Sequence, residues 1–504
     1  MSHLIIAPVL LPLFAGLLLL LLRSVLSVRI HRTLSLIAVV GQIGLAIALL
    51  SRVHSGEILT YMLGGWIPPF GIVLVADRLS VWMLLITALL ALPALLHGVR
   101  GTDLRGRHFH ILFQWQLFGL SGAFLTGDLF NLFVFFEILL LASYGLLLHG
   151  GGRLRTRAGL HFVIINLAGS TLFLFAVGTL YGILGTLNMA DLARQVALVP
   201  AEHLGPVKAA SLLLFGVFIL KSALIPLHLW LPAAYANTSA PVAALFAIMT
   251  KLGAYAILRI DTLIFGSSAG ALAGMLDAWL LPLALLTLVI GMLGVVAASA
   301  LRQQIAYLVV ASVGSLLTAF ALGSAAGIAA GLYYLPHATF AAGAFFLLAD
   351  AIASRRGGFD DRFEPGVVLA DRKVLGGLFF VVAMLSVGLP PLSGFIGKWM
   401  TLQAALPHPS LPWIMASILG TSLLGIIAMA RSGSVLFYRA EAAPVDSATP
   451  LRVGTRTREL LPAILLLLLC LALVIWAGPV DEFARATAAQ LLQPEDYIRA
   501  VLEP

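Results

Sequence analysis

Long apolar runs separated by short polar segments dominate the chain. Runs of about 20 apolar residues, the length needed to cross a bilayer as a helix, lie near 4–22, 33–50, 79–99, 109–127, 129–149, 159–184 and 210–230. Seven more lie near 240–260, 277–299, 303–323, 326–349, 374–402, 411–438 and 460–477. The runs are continuous and lack strict alternation, which favours helices over a β-barrel. The pattern therefore predicts an all-α polytopic membrane protein of fourteen transmembrane helices. The polar stretches 51–78, 185–209, 350–373 and 439–459 read as loops, and none resembles a soluble domain. Within the first, YMLGGWIPPFGIVLVA (61–76) carries Gly-Gly and Pro-Pro between β-branched flanks and predicts a short hairpin. The tail 480–504 reads as a solvated or surface-lying helix.

Composition agrees with a membrane protein: 61% of residues are hydrophobic and only 10% charged. Basic residues cluster after odd-numbered helices, at Arg23, Arg29 and Arg32, Arg100, Arg105 and Arg107, and Arg153, Arg155 and Arg157. The bias continues at Arg302, Arg355, Arg356, Arg362, Arg372 and Lys373, then Arg439, Arg452, Arg456 and Arg458. Loops after even-numbered helices hold only Arg52, Arg78, Arg194, Lys208 and Arg259. Positive charge stays on the cytoplasmic side, so both termini are expected to face outward. The net charge of +8 reflects this bias and is no sign of nucleic-acid binding. The first Arg follows the first apolar run, so no basic signal-peptide region precedes it and helix one is expected to be retained.

Two runs are interrupted. The seventh contains KSALIPLHLWLP, with Lys221 five residues before Pro226, and the twelfth contains VGLPPLSGFIGKW, with Pro390 and Pro391 before Lys398. Proline removes a backbone donor, and such a break survives in a bilayer only where protein or water satisfies the freed groups. Paired broken helices point to inverted repeats. The breaks lie five helices apart, an odd number, so helices 4–8 and 9–13 would form repeats of opposite orientation. The expected divisions are 1–107 with three helices and the hairpin, 108–262 and 263–440 as the two repeats, and 441–504 with the last helix and tail.

Ionisable residues at membrane depth are costly and normally mark an ion or proton path. Three of the five lysines, Lys221, Lys251 and Lys398, lie inside apolar runs, as does Glu137 in GDLFNLFVFFEILLLASYG. A carboxylate that moves toward or away from a buried amine changes its hold on a proton, and Lys221 is the natural partner of Glu137. His337 in YYLPHATFAAG, and more weakly His228 beside Pro226 and His161 in helix six, could extend the path, because imidazole passes protons through either nitrogen. Asp350 ends helix eleven and reads as interfacial. Structural alternatives remain: Lys398 could snorkel to a surface, and Lys251 could cap carbonyls of a broken neighbour. Sodium, a hard cation, prefers oxygen ligands, and one carboxylate at depth makes no such site. Cys470 stands alone, which excludes an internal disulfide or an iron–sulfur cluster held by this chain. No nucleotide motif in a suitable context occurs, so no cofactor or metal is expected.

The stretch TGDLFNLFVFFEILLLASYGLLLHGG (126–151) closely resembles the D subunit of the Mrp-type (Sha or Pha) multisubunit Na⁺/H⁺ antiporters. KSALIPLHLWLPAAYANTSAPVAALFAIMTKLGAYAILR (221–259) resembles a block shared with antiporter-like subunits of respiratory complex I. The likeness runs from about residue 60 to 430. By motif it implies that Glu137, Lys221, Lys251, His337 and Lys398 carry protons. The position of Lys398 is a glutamate in one complex I homologue, so lysine favours the Mrp assignment. The family often has a polar residue soon after the histidine, whereas Ala341, Ala342 and Ala344 follow here, leaving that link to water. The resemblance implies a transporter subunit of the bacterial inner membrane, not an enzyme, whose partners are the other Mrp subunits. Inward proton flow would then drive Na⁺ outward elsewhere in the assembly. Two alternatives are a proton-pumping subunit of a redox complex and a scaffold whose polar residues only fix helix packing.

Overall fold

The computed structural model describes residues 2–366, 368–439 and 457–503. Arg452, Arg456 and most of the 439–459 loop lie outside the described residues. Backbone polar groups in a bilayer must be satisfied within their own segment, and the apolar runs accordingly fold as helices.

The N-terminal region comprises α1 (Ala7–Leu21), α2 (Val28–Val53), strands β1 (Leu59–Met62) and β2 (Val73–Ala76), and α3 (Arg78–Gly98). The strands form the expected antiparallel hairpin, with Leu59 opposite Ala76. β2 is buried, and the Gly127 amide donates to the Val73 carbonyl at 2.8 Å, docking the hairpin on the next helix connection. There follow α4 (Phe109–Leu125), α5 (Leu129–Leu148), α6 (Arg153–Leu184), α7 (Met189–Ala197), α8 (Leu204–Ser222), α9 (Trp230–Asn237), α10 (Ala240–Phe246) and α11 (Met249–Ile264). The second half contains α12 (Asp277–Ala297), α13 (Leu301–Phe320), α14 (Ala325–Arg356), α15 (Arg372–Val387), α16 (Ser393–Ala405) and α17 (Leu411–Gly433). The chain ends in α18 (Thr457–Ile475), α19 (Ala477–Leu491) and α20 (Pro494–Leu502).

Among the described residues, ten spans are long and apolar enough to cross a membrane, or eleven counting α18 with α19, which bend by 79°. The other predicted segments are helical but short: 15 residues in α1, 17 in α4, and a pair of 16 and 13 in α15 and α16. Two buried columns occupy the centre. One is α10–α11; the other is α14, which packs on α3, α10, α13, α15, α16, α18 and α19. At the periphery α2 and α17 turn most of their apolar residues outward, as bilayer-facing helices do.

Several details differ from the sequence expectation. The stretch 185–209 is not all loop, because Leu192 and Val196 give α7 an apolar face to bury. Arg259 lies inside α11 instead of a loop and is buried. Asp350 does not end its helix, since α14 continues to Arg356, whose guanidinium donates to the Asp360 and Arg362 carbonyls beyond it. The tail is docked: Ala484, Thr487, Ala488 and Leu491 of α19 and Tyr497 of α20 are buried.

Candidate functional site

Both expected breaks are present. α8 ends at Ser222 with Ala223 in the left-handed region at φ 58°, and α9 resumes at Trp230. α15 ends at Val387 with left-handed Gly388 at φ 86°, and α16 resumes at Ser393. Pro226 and Pro390–Pro391 lie inside these breaks, each with a cis bond, at Ile225–Pro226 and Pro390–Pro391. Lys221 precedes the first break by two residues, and Lys398 lies in the second turn after the other.

Glu137, half-buried on α5, and Lys221, 6% exposed on α8, form no direct ion pair. α6 stands between them. Ser170 donates a short hydrogen bond to Glu137 Oε1, while Lys221 Nζ donates to Asn166 Oδ1 at 3.1 Å. Asn166 and Ser170 are four residues apart and share one face of α6. Lys221 Nζ also stands 5.9 Å from the centre of the Phe136 ring, beside Glu137. The carboxylate and the amine are thus each held by a polar side chain on the same face of α6, within about one helical turn of each other.

Lys251, fully buried on α11, donates to Ser312 Oγ of α13 at 3.2 Å. A cavity of about 30 Å³ continues from there, lined by Ser312, Ser315, Tyr334, His337, Ala341 and Lys398 among others. That volume holds a water molecule or two. Ala341 and Ala342, after the histidine, form part of its wall. His337, 1% exposed on α14, places Nδ1 at 2.9 Å from Ser393 Oγ, the first residue of α16. Gly394 makes room for this ring: a Cβ there would come within 2.7 Å of His337 Nε2. Lys398 Nζ, at the other end of the cavity, donates to the Val387 carbonyl at 2.6 Å and to Ser422 Oγ at 2.9 Å. Lys398 therefore turns into the break and caps the exposed end of α15, the role weighed for Lys251, and does not snorkel outward.

His228 is buried in the first break, with Nδ1 enclosed and unpartnered. His161 lies on the exposed face of α6 and forms no hydrogen bond to the other members of the site. Sequence reasoning missed Asn166, Ser170, Ser312, Ser393 and Ser422, which hold the ionisable groups. The spacing of Asn166 and Ser170 on an apolar helix was the available signal.

Buried polar groups strung between two broken helices in an apolar surround define a membrane protein of the ion-translocating kind. Residues 126–425 match the family described as NADH:quinone oxidoreductase/Mrp antiporter, TM. The chain belongs to that family. Over 470 residues, 88% of this chain and 86% of the relative, it is 42% identical to the D subunit of a probable K⁺/H⁺ antiporter of Rhizobium meliloti (strain 1021). Over the full length of both chains it is 36% identical to the D subunit of the Na⁺/H⁺ antiporter of Bacillus subtilis (strain 168). Among solved structures, a chain of the Mrp complex from Dietzia sp. DQ12-45-1b superposes with a TM-score of 0.86 at 28% identity, covering 99% of each chain.

Proposed function

We propose that this chain is the proton-translocating D subunit of a multisubunit monovalent cation/proton antiporter, exchanging cytoplasmic Na⁺ or K⁺ for external protons. The observation that carries this reading is that Glu137 and Lys221 are both held on one face of α6, by Ser170 and Asn166. A proton enters a half-channel at the break between α8 and α9, where Glu137 sets the proton affinity of Lys221. It passes through Lys251, the Ser312–His337 cavity and Lys398 to a second half-channel at the break between α15 and α16. His228 lies beside the first half-channel and can serve it; exposed His161 takes no part. Cation movement belongs to the other subunits of the assembly, the partners this chain requires.

The finer architecture belongs to the same reading: fourteen crossings of a bacterial inner membrane, both termini outside, and the divisions 1–107, 108–262, 263–440 and 441–504. Inverted repeats are supported by the order of elements. In each half a 32-residue helix, α6 or α14, precedes the broken helix and packs against both of its parts.

The test is cation-triggered proton movement, followed with a pH-sensitive dye in energised everted vesicles carrying the assembled complex. Glu137→Gln and Lys221→Ala are expected to abolish the Na⁺- or K⁺-dependent signal at equal assembly. Undiminished exchange in both variants would remove this path. A second reading, a proton-pumping subunit of a redox complex, is favoured by the family description, which names NADH:quinone oxidoreductase. Co-purification with flavin or iron–sulfur subunits, and no cation response in the wild type, would select it.

A further inference from the structure

A cavity of about 480 Å³ opens at the end of the molecule that carries the α3–α4 and α5–α6 connections, the cytoplasmic side on the reading above. His97, near the end of α3, and Asp350 of α14 meet on its wall, with His97 Nε2 3.2 Å from Asp350 Oδ2. The histidine is only 9% exposed, and its Nδ1 is enclosed without a partner. The Asp350 side chain is 41% exposed. One end of the pair meets the cavity and the other points into protein.

The charged groups around the pair come from every neighbouring element. Arg302 of α13 lies 3.9 Å from Asp350 Oδ1 and 3.1 Å from Asp360. Arg100 and Arg105 come from the α3–α4 segment and Arg155 from α6, while Arg355 of α14 is tied to Asp371 and Glu459. Five arginines thus line the cavity against three carboxylates, Asp350, Asp360 and Glu459. α14 also carries His337, thirteen residues from Asp350, or about 20 Å along one rigid helix.

We infer that the His97–Asp350 pair is a proton-exchange station joining the arginine-lined cavity to the interior relay. A proton taken from cavity water by the exposed Asp350 carboxylate passes across the 3.2 Å contact to His97 Nε2, leaving an ionised carboxylate beside a doubly protonated ring. Release from Nδ1 to a water molecule on the interior side returns the ring to neutrality as the Nε2–H tautomer, a ring flip restores the starting form, and the reverse sequence carries a proton out. This inference rests on the antiporter reading.

The experiment compares His97→Gln, Asp350→Asn and Asp350→Glu with wild type and Glu137→Gln, in vesicles at equal assembly, between about pH 6 and 9. His97→Gln and Asp350→Asn are expected to slow exchange about tenfold or more and to move its pH optimum, while Asp350→Glu restores both. Wild-type rate and pH profile in His97→Gln or Asp350→Asn would overturn the inference. A loss shared equally by Asp350→Glu, with the pH profile unmoved, would also overturn it, leaving a structural staple between α3 and α14. If Glu137→Gln exchanges normally, the relay reading itself fails; if it is inactive while Asp350→Asn is normal, only the port fails. As a second readout, Asp350→Cys in a Cys470→Ser background should react with a membrane-impermeant anionic thiol reagent from the cytoplasmic side alone. Absence of labelling from that side would also overturn the port.

Discussion

Asn166 and Ser170 carry no charge, yet they hold Lys221 and Glu137 on one face of α6. A hydrogen bond to a charged group contributes roughly 1.5–3 kcal/mol, so Asn166→Leu should slow exchange by about tenfold or more at equal assembly. A dye-quench assay on the assembled complex measures this, and a normal rate would place the coupling elsewhere. Asp103, in the α3–α4 connection, gives a pH prediction. Burial opposes its charge, yet hydrogen bonds from His110 and Arg32 outweigh burial and hold the carboxyl down at about 2. The folded value lies below the unfolded one, so its stabilisation is complete above about pH 4 and disappears as pH falls through about 2. The gap in melting temperature between wild type and Asp103→Asn in detergent should therefore be widest near neutrality and close toward pH 2. At this scale the ionisable members of the site were legible, because a charge in an apolar run costs too much to persist without a role. Their serine and asparagine partners were not, since such residues also satisfy the backbone of their own helix, as Ser143 does with the Leu140 carbonyl.

At the scale of elements, the two breaks do the positioning. Ala223 adopts a left-handed conformation that costs a non-glycine residue roughly 1–2 kcal/mol, and it turns the chain just beyond Lys221. Ala223→Gly should raise the melting temperature slightly; a fall would mean that the alanine methyl packs more than the strain costs. Gly388 has the opposite status. It is left-handed, and a Cβ there would lie 3.0 Å from Lys398 Cδ. Gly388→Ala should lower thermal stability by about 1–2 kcal/mol and reduce exchange, because the added methyl presses on the side chain that caps α15. The prolines made both breaks legible. That Lys398 would cap Val387 was not, because the capped carbonyl is set by where α15 stops and how α16 and α17 approach it.

Across the whole molecule, the N-terminal region, the end of the first half and the tail meet at one buried ion pair. Asp77, the N-cap of α3, receives the Ser80 amide and both arms of Arg259, at 2.7 Å each. Burial opposes the charge on Asp77, but the Arg259 guanidinium holds its carboxyl below the usual carboxylate range. Tyr497 of the tail lies 5.3 Å from Arg259, and the Arg78 guanidinium donates to the Ala486 carbonyl of α19. Removing one partner of such a pair leaves an uncompensated buried charge, at about 3–5 kcal/mol. Arg259→Ala is thus expected to cut the yield of assembled complex severely, with the double variant Asp77→Asn/Arg259→Leu recovering part of it. Equal yields for the single and double variants would exclude a pair-specific role.

The sequence by itself determined the class of protein, the helical character of its apolar runs, the two breaks and the ionisable residues worth watching. Those properties follow from what a bilayer permits, and a bilayer acts on each segment almost independently of the others. Tertiary structure alone decided that α6 intervenes between Glu137 and Lys221, that α14 stands at the centre with His337 in its middle and Asp350 near its C-terminal end, and that the tail closes over Arg259. Each depends on which faces of distant helices meet. In an apolar helix of nearly uniform hydrophobicity, the pattern along the chain does not mark that face.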